Sequence, residues 1–158
     1  MRNKAPSERL VLEHFLPYRL SALTNRISAV IAGQYSRQFD LTPAEWRVMA
    51  ALGNTPRLSS SEVAARTAMD KVQVSRAVAR LVAAGRVSRA ADTRDSRVAR
   101  LRLSASGRAI YRKIVPHALD IEAQLMASLN GAEREQLNRL LTKLDQQIEA
   151  LTPILLEH

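Results

Sequence analysis

The sequence predicts a mainly α-helical fold that carries one small β-hairpin, and three observations support this prediction. Apolar residues recur at intervals of three and four along most of the chain, which is the helical period. Residues that favour helix ends, such as serine, threonine, asparagine and glycine, separate these runs. One short segment from Arg89 to Ser104, RAADTRDSRVARLRLS, instead has a polar turn followed by alternating leucine and arginine. With 158 residues, the chain has the length of about one domain.

The first two predicted helices lie in the N-terminal third of the chain. One covers the segment from Ser7 to Arg37, in which we expect Pro17 to bend or break the helix. The next segment, LTPAEWRVMAALG, predicts a helix with both ends marked. Thr42 is the predicted N-cap, and Glu45, three residues later, is placed to complete a capping box. Gly53 is the predicted end of this helix.

Two shorter helices are predicted next. The segment LSSSEVAARTAMD predicts a helix that begins at Ser59 or Ser60, with Glu62 placed to complete a capping box. The segment DKVQVSRAVARLVAAG predicts a helix that is capped by Asp70 and ended by Gly85. Two short helices with a turn of about three residues between them form a helix-turn-helix, whose second helix reads DNA.

The second of these helices has two chemically different faces when its residues are placed at about 100° per residue. One face is apolar and is expected to pack inward. The opposite face carries cations, an amide and small side chains, which suit a major groove because arginine and glutamine can bind guanine and adenine edges. A surface helix with ordinary solvated arginines has the same pattern, so this helix alone leaves both interpretations open. The outward residues are Val72, Gln73, Arg76, Arg80 and Ala83, with Lys71 and Ser75 beside them.

A two-stranded hairpin is predicted directly after this helix. Its strands run from Arg86 to Ala91 and from Val98 to Leu103, and its turn runs from Asp92 to Ser96. Arginine suits a narrow minor groove, and nearby aspartates can hold a guanidinium extended before binding. A solvated turn with incidental ion pairs would explain the tip alone, but not its place after a helix-turn-helix.

The rest of the chain is predicted to be helical. The sequence SASG, from Ser104, begins a helix with an expected bend at Pro116, and Asn130 and Gly131 end it. The last helix, AEREQLNRLLTKLDQQIEAL, has a regular leucine stripe and is expected to stop at Pro153. Either this stripe packs on the first helix of the same chain, or both terminal segments interleave with a second chain.

Most of the positive charge lies in the middle of the chain. The chain has 24 lysines and arginines against 15 aspartates and glutamates, a formal charge of +9. Between Arg57 and Arg102 there are eleven basic and four acidic residues, so this segment carries most of the excess. The distribution predicts a single basic working surface and an anionic partner such as nucleic acid.

Several function classes are disfavoured. The chain has no cysteine, which excludes disulfides, thiol redox sensing and cysteine-based zinc sites. It has no glycine-rich phosphate loop and no nucleophile elbow, and its three histidines are scattered, so we expect neither an enzyme nor a cofactor. No metal site is predicted, although a zinc site formed by His14 or His117 with Glu122 stays open as an alternative. The N-terminus lacks a secretory signal and no apolar run reaches ~18 residues, so a cytoplasmic protein without membrane contact is expected.

The order of these elements resembles the MarR family of winged helix-turn-helix repressors. The residues that carry the resemblance are LTPAEWRVMAALG, KVQVSRAVARLVAAGRVSR and DTRDSRVARLRLSASG, the last of which is similar to the family's DxRDxR wing signature and L-[ST]-x-x-G helix start. The resemblance covers the chain from about Leu10 to Leu151. It implies one MarR-like chain over residues 1–158, with a DNA-binding lobe at 40–103 and dimerisation helices at 8–37 and 104–153. It also implies a homodimer that binds a pseudo-palindromic double-stranded DNA operator and represses nearby genes.

The resemblance also implies the residues that contact DNA. Asp95 and Arg97 match the Asp-x-Arg of the wing, and Arg94 or Arg97 is expected in the minor groove. Gln73 and Arg76 match the part of the recognition helix that lies in the major groove, while Lys71 is expected at a phosphate. The full predicted set is Ser60, Lys71, Gln73, Ser75, Arg76, Arg80, Arg94, Asp95 and Arg97.

A ligand site is a further implication of the resemblance. Many members of the family release DNA when a small aromatic acid or phenol-like compound enters a pocket between the dimerisation helices and the DNA-binding lobe. Tyr18, Arg19, Trp46 and Met49 are the candidates here, as an aromatic wall with a cation for a carboxylate. The competing interpretation is core packing, because a lone tryptophan in a capped amphipathic helix is usually core. Without cysteine, the chain cannot sense peroxides as some members do.

One alternative function remains open on the residues, that of a non-specific architectural or RNA-binding protein. The chain has two phenylalanines, three tyrosines and one tryptophan. So few aromatic residues argue against stacking on single-stranded bases. Competition between a specific duplex and a random duplex separates the two functions.

Overall fold

The computed structural model describes residues 9–92 and 97–156, which form six helices and one two-stranded antiparallel sheet. The mainly α-helical fold with one hairpin is therefore confirmed. The elements in chain order are α1 (Leu16–Phe39), α2 (Pro43–Asn54), α3 (Ser60–Thr67), α4 (Lys71–Ala83), β1 (Val87–Ala91), β2 (Ala99–Leu103), α5 (Ala105–Met126) and α6 (Gly131–Leu156).

The chain divides into two compact units, residues 1–118 and residues 119–158. The first contains α1 to α4, the hairpin and the first part of α5, and the second contains the rest of α5 and α6. Among the described residues, the buried core lies entirely in the first unit. The predicted DNA-binding lobe, residues 40–103, contributes most of that core.

The core of the first unit forms where α2, α3, α4 and the hairpin meet. Val48, Val63, Val74 and Val78 are fully buried, each on the apolar stripe of its own helix. Burial of one such side chain contributes about 1.5–3 kcal/mol to folding. The buried apolar residues are Tyr35, Leu41, Val48, Met49, Leu52, Leu58, Val63, Met69, Val74, Ala77, Val78, Leu81, Val87, Leu101, Leu103 and Ile114.

Side-chain caps begin the three helices of the lobe, as the sequence predicts. Thr42 and Glu45 form a capping box on α2, in which the Thr42 N–H donates to Glu45 Oε2 at 2.7 Å. Ser59, rather than Ser60, is the N-cap of α3, and its Oγ accepts from the Glu62 N–H at 3.2 Å. Asp70 Oδ1 accepts from the Gln73 N–H at 2.7 Å and caps α4. These caps fix where each helix of the helix-turn-helix starts.

Two prolines lie close to helix ends. The helical run predicted from Ser7 is interrupted next to Pro17, as expected, because α1 begins only at Leu16 and has the proline in its first turn. The N–H that proline lacks has no helical partner there, so the residue is well tolerated. Pro153 does not stop α6, which continues to Leu156. So close to the end of a helix, a proline removes only one of the last backbone hydrogen bonds.

Gly53 is also not the end of its helix, since α2 continues to Asn54. Its lack of a side chain serves packing instead. A Cβ at this position would lie 2.4 Å from Cε2 and Cζ of Tyr111 in α5, so only glycine lets the ring approach α2. The Tyr111 hydroxyl bonds to Asn54 Oδ1 at 3.3 Å next to this contact.

The hairpin has the predicted alternation and one additional partner. Val87 pairs with Leu103 and Ala91 pairs with Ala99, and the leucines of β2 face the core while its arginines do not. Leu58 forms an isolated bridge with Leu101, whose N–H donates to the Leu58 carbonyl at 2.8 Å. The sequence patterns did not predict this third pairing. Residues 93–96, at the predicted wing tip, lie outside the described residues.

Helix α6 has an apolar stripe that stays exposed within one chain. Asn130 and Glu133 cap its start, with the Asn130 N–H donating to Glu133 Oε2 at 2.8 Å. The exposed stripe consists of Leu137, Leu140, Leu141, Leu144, Ile148 and Leu151. Core residues of a monomeric protein would be covered, so this stripe is available to another surface.

Neither a membrane span nor a metal cluster is found in the described part of the chain. No helix in residues 9–92 or 97–156 is both long and apolar enough to cross a bilayer. The same residues contain no group of three or more histidine, aspartate or glutamate side chains that could hold a metal ion. His14, His117 and Glu122 therefore belong to no such group.

Candidate DNA-binding surface

Helix α4 presents the predicted outward face to solvent. Val74, Ala77, Val78 and Leu81 are buried against the lobe, which leaves the opposite side of the helix uncovered. The exposed residues on that side include Lys71, Val72, Gln73, Ser75, Arg76 and Arg80. Ser60, the first residue of α3, is also exposed. The structure thus brings the predicted helix-turn-helix contacts to the surface of one lobe.

The Arg80 side chain is paired with the buried carboxylate of Glu45. The sequence patterns predicted Glu45 only as part of a helix cap. Arg80 Nε lies 2.7 Å from Glu45 Oε1, and the Glu45 side chain is 4% exposed against 61% for Arg80. The second carboxylate oxygen of Glu45 accepts the Thr42 N–H, so both oxygens are bonded. The start of α2 therefore fixes one edge of the Arg80 guanidinium, while most of the side chain faces solvent.

The base of the wing contains a second arginine–carboxylate cluster. Arg100 of β2 pairs through Nε with Asp92 Oδ2 and through Nη1 with Glu62 Oε2, the latter at 2.6 Å. The hydrogen bond that Arg100 donates to Asp92, and then the negative charges of Asp92 and Glu62, raise the pKa of Arg100 above its ordinary value. The pKa of Glu62 lies below its ordinary value, first because it accepts backbone and side-chain hydrogen bonds from Ser59 and then because Arg100 is near.

Asp92 is one of the two turn aspartates that could orient arginines of the tip. It pairs with Arg100 of the strand. Arg94 and Asp95 lie outside the described residues. Arg97, the first described residue after the tip, is exposed, as a minor-groove contact would be.

The four predicted ligand residues, Tyr18, Arg19, Trp46 and Met49, do not lie together within a single chain. Met49 is fully buried in the core, and Trp46 packs between two tyrosine rings, Tyr35 at 5.6 Å and Tyr111 at 5.9 Å between centroids. Burial raises the pKa of Tyr35 to about 12, with Arg47 opposing the shift.

The other two residues of that prediction lie elsewhere. Tyr18 and Arg19 are exposed in the first turn of α1. Tyr18 and Tyr35 are separated by about five turns of this helix, or about 25 Å along its axis. Because Trp46 packs against Tyr35, it is far from Tyr18. Core packing therefore explains Trp46 and Met49.

A different groove lies beside the recognition helix. It has a volume of about 600 Å³ and runs between α1, the start of α2 and α4. Arg47, on its α2 wall, donates through Nη2 to Ser28 Oγ of α1 at 3.2 Å. No local sequence pattern predicts this groove, because its walls are far apart in the chain. Its lining residues are Asn25, Ser28, Ala29, Thr42, Pro43, Ala44, Glu45, Arg47, Met69, Gln73, Arg76, Ala77 and Arg80.

Comparison with known proteins gives one consistent family. The family model described as MarR family matches residues 39–98. The chain is 27% identical to an HTH-type transcriptional repressor of Mycobacterium tuberculosis, over 79% of this chain and 92% of the relative. It is 30% identical to a solved probable transcriptional regulator from Pseudomonas aeruginosa, with a TM-score of 0.72 over 85% of this chain and 99% of that one.

A third relative has a known regulator. The chain is 27% identical to the solved BpsR of Bordetella bronchiseptica, with a TM-score of 0.75 over 87% of this chain and 97% of that one. The DNA binding of BpsR is regulated by 6-hydroxynicotinic acid. The family model, the sequence relatives and the solved structures thus agree with the fold described above.

Proposed function

This chain belongs to the MarR family of transcriptional regulators, and from that premise we propose that it binds a pseudo-palindromic DNA operator as a homodimer and represses the genes beside it. The observation that carries the proposal is the exposed face of α4, where Gln73, Arg76 and Arg80 project from a helix whose other side is buried. Helix α4 also lies within the segment from Arg57 to Arg102, which carries most of the excess of basic residues.

The helix α4 enters the major groove in this proposal. Gln73 and Arg76 bind base edges, because an amide matches adenine and a guanidinium matches guanine. Val72 is 58% exposed beside them and is suited to contact a thymine methyl group. Lys71 and Arg80 bind phosphates, with Arg80 oriented by Glu45, while Ser60 and Ser75 provide hydroxyl donors to the backbone.

The wing enters the adjacent minor groove. Arg97 and Arg94 supply the guanidinium groups, and Asp95 keeps them extended. The support is the position of the hairpin after the recognition helix, together with the exposure of Arg97.

Dimerisation follows from the uncovered apolar helices. The stripe on α6 and the exposed Leu16, Leu20 and Leu23 of α1 are suited to interleave with a second copy of the chain. A two-fold axis places two recognition helices about 34 Å apart, which is the spacing of successive major grooves on one side of DNA.

Selection from a random duplex pool tests this proposal. The purified protein should recover an inverted repeat, and the selected duplex should bind at least ~10³-fold more tightly than random duplex. Equal affinity for both would favour the architectural alternative. Sedimentation of the complex should give two chains per duplex.

An aromatic carboxylate is the effector class that we propose for the groove beside α4, in place of the four residues predicted from the sequence. Support comes from BpsR, whose DNA binding responds to an aromatic acid, and from Arg47, Arg76 and Arg80 on the groove walls. An arginine that binds a carboxylate there is withdrawn from DNA.

The probe for this site is 6-hydroxynicotinic acid. It should release the protein from its selected duplex, and Arg47→Gln should weaken that release without changing DNA affinity in its absence. Arg66→Gln, an exposed arginine outside the groove, serves as the matched control. Release that is equally effective on Arg47→Gln would place the effector elsewhere.

A further inference from the structure

Arg100 of β2 has a carboxylate on two sides of its guanidinium. Asp92, which follows β1, binds its Nε, and Glu62, in the first turn of α3, binds its Nη1. The Arg100 side chain is 28% exposed, and that of Asp92 is 12% exposed. Two separate elements of the fold therefore meet on one guanidinium.

Glu62 is itself fixed before it meets Arg100. The oxygen that binds Arg100, Oε2, also accepts the Ser59 N–H at 2.7 Å, and the Glu62 N–H donates to Ser59 Oγ. Arg100 Nη1 is also 3.4 Å from the carbonyl oxygen of Arg57, in the loop before α3. Arg100 is thus bonded to the capping box that begins the helix-turn-helix.

Asp92 provides the corresponding link inside the hairpin. Its N–H donates to the Val98 carbonyl at 2.9 Å, just beyond the last strand pair. Its carboxylate then crosses to Arg100 on the opposite strand. Asp92 is the last described residue before the predicted wing tip.

We propose that Arg100 is a positioning residue that holds the wing at a fixed inclination to α3 and does not itself bind a DNA phosphate. Two carboxylates around one guanidinium leave a local excess of negative charge, which repels phosphate. Because charge-assisted hydrogen bonds are directional, the same contacts restrict how the hairpin can tilt. The minor-groove arginines are then presented at one place relative to the recognition helix.

Arg102 is the matched control within the same strand. It lies two residues farther along β2, so both side chains leave the same face of the strand. Its Nε donates to the uncharged Ser88 Oγ at 3.1 Å, and the residue is exposed. Replacement of either arginine by glutamine removes one charge, but only Arg100→Gln removes an ion pair between the wing and α3.

A distance measurement tests the proposal without DNA. Because the chain has no cysteine, Ser61→Cys on α3 and Ser96→Cys in the wing can be spin-labelled alone. The label-to-label distribution should broaden in the Arg100→Gln chain and stay unchanged in the Arg102→Gln chain. An unchanged distribution in Arg100→Gln would overturn the proposal.

A second variant guards against a folding defect in Arg100→Gln. Glu62→Gln keeps a side chain that can complete the capping box but loses the charge that binds Arg100. It should broaden the same distribution while its thermal unfolding shows one cooperative transition. A narrow, wild-type distribution in Glu62→Gln would likewise count against the proposal.

A double-mutant cycle tests the consequence for binding, which rests on the proposed DNA-binding function. The affinity loss caused by Arg97→Ala should be about threefold or more smaller in the Arg100→Gln background than in the wild type. Arg100→Gln should leave the salt slope of binding unchanged, whereas loss of a phosphate contact would lower it by about 0.9. If the wild type binds its operator, either a lowered salt slope in Arg100→Gln or the absence of coupling between Arg100 and Arg97 would refute the positioning role. If the wild type prefers no duplex, the proposed function fails and the distance measurement still decides the role of Arg100.

Discussion

The DNA-binding lobe and helix α6 place apolar residues of the same spacing in opposite environments. In α4, Val74 and Val78 are fully buried, whereas Leu140 and Ile148 of α6 are 48% and 62% exposed. Both helices repeat apolar residues at intervals of three and four. Periodicity therefore identifies the apolar face of a helix but not the surface that covers it. For α4 that surface is its own chain, and for α6 we propose a second copy.

The largest effect is expected on folding stability, from a substitution in the core of the DNA-binding lobe. Leu81 of α4 is 1% exposed, so Leu81→Ala should lower the free energy of unfolding by about 2–5 kcal/mol. Urea denaturation of the wild type and the variant at equal protein concentration measures this. Leu140→Ala on α6 is the counterpart, and its cost should grow as the protein is concentrated. A loss at Leu81 well below about 1 kcal/mol would mean that the lobe is less tightly packed than the burial indicates.

A charge on the α6 stripe should affect assembly instead of folding. Leu144→Glu buries a carboxylate in the proposed dimer interface and should weaken association by about 2 kcal/mol, or ~30-fold. Sedimentation velocity gives the association constant, and circular dichroism checks that the helices persist. Gln146→Glu, on the polar side of α6, is the control and should remain dimeric. Unchanged association of Leu144→Glu would show that another surface joins the chains.

The next largest effect is expected on DNA affinity, from substitutions on the outward face of α4. Arg76→Ala should reduce affinity for the selected duplex by about 1–3 kcal/mol and relax the preference at one base pair of each half-site. Lys71→Ala should weaken selected and random duplexes alike and lower the salt slope by about 0.9, because we expect it at a phosphate. Sites selected by Arg76→Ala that are identical to those of the wild type would contradict base readout by this residue.

Features set by neighbouring residues could be predicted from the sequence, and features set by tertiary contacts could not. The caps at Thr42 and Asp70 were predicted because each depends on groups three residues apart. The ion pair of Arg100 with Glu62 joins residues 38 positions apart, and no local pattern marks such a pair. Glu45 was likewise recognised only as a cap.

The same distinction explains where the structure departs from what the sequence suggested. Trp46 and Met49 were grouped with Tyr18 because the family resemblance implies a ligand pocket, yet Met49 lies in the core, Trp46 packs against it and Tyr18 is exposed on α1. The apolar spacing runs from Ser7 through Pro17, although the helix starts only at Leu16, next to the proline. Periodicity does not locate a helix start as accurately as a cap does.

Removal of a helix cap should have a smaller effect on stability. One cap in the DNA-binding lobe and one on α6 allow the two regions to be compared directly. Thr42→Ala removes the side-chain acceptor at the start of α2 and should cost about 0.5–2 kcal/mol of stability. Asn130→Ala removes the equivalent acceptor from α6, whose start is exposed, and should cost less. Thermal unfolding of both variants measures the difference. Equal losses would mean that both regions unfold as one cooperative unit.

The smallest expected effect is the pH dependence that comes from Glu62. Its pKa in the folded chain lies below the ordinary 4.5, mainly because Ser59 donates to it and in part because Arg100 is close. A lowered folded-state pKa adds stability above the unfolded-state value, and this stability is lost as the pH falls through the folded-state value. Glu62→Gln should therefore be less stable than the wild type near neutral pH, and the two should converge as the pH falls below 4.5. Urea denaturation from about pH 6 to about pH 3 measures this convergence. A stability difference that stays constant with pH would mean that the carboxylate acts through its shape alone. If the pH-dependent part of the Glu62→Gln effect is smaller in the Arg100→Gln chain than in the wild type, part of it comes from the wing contact.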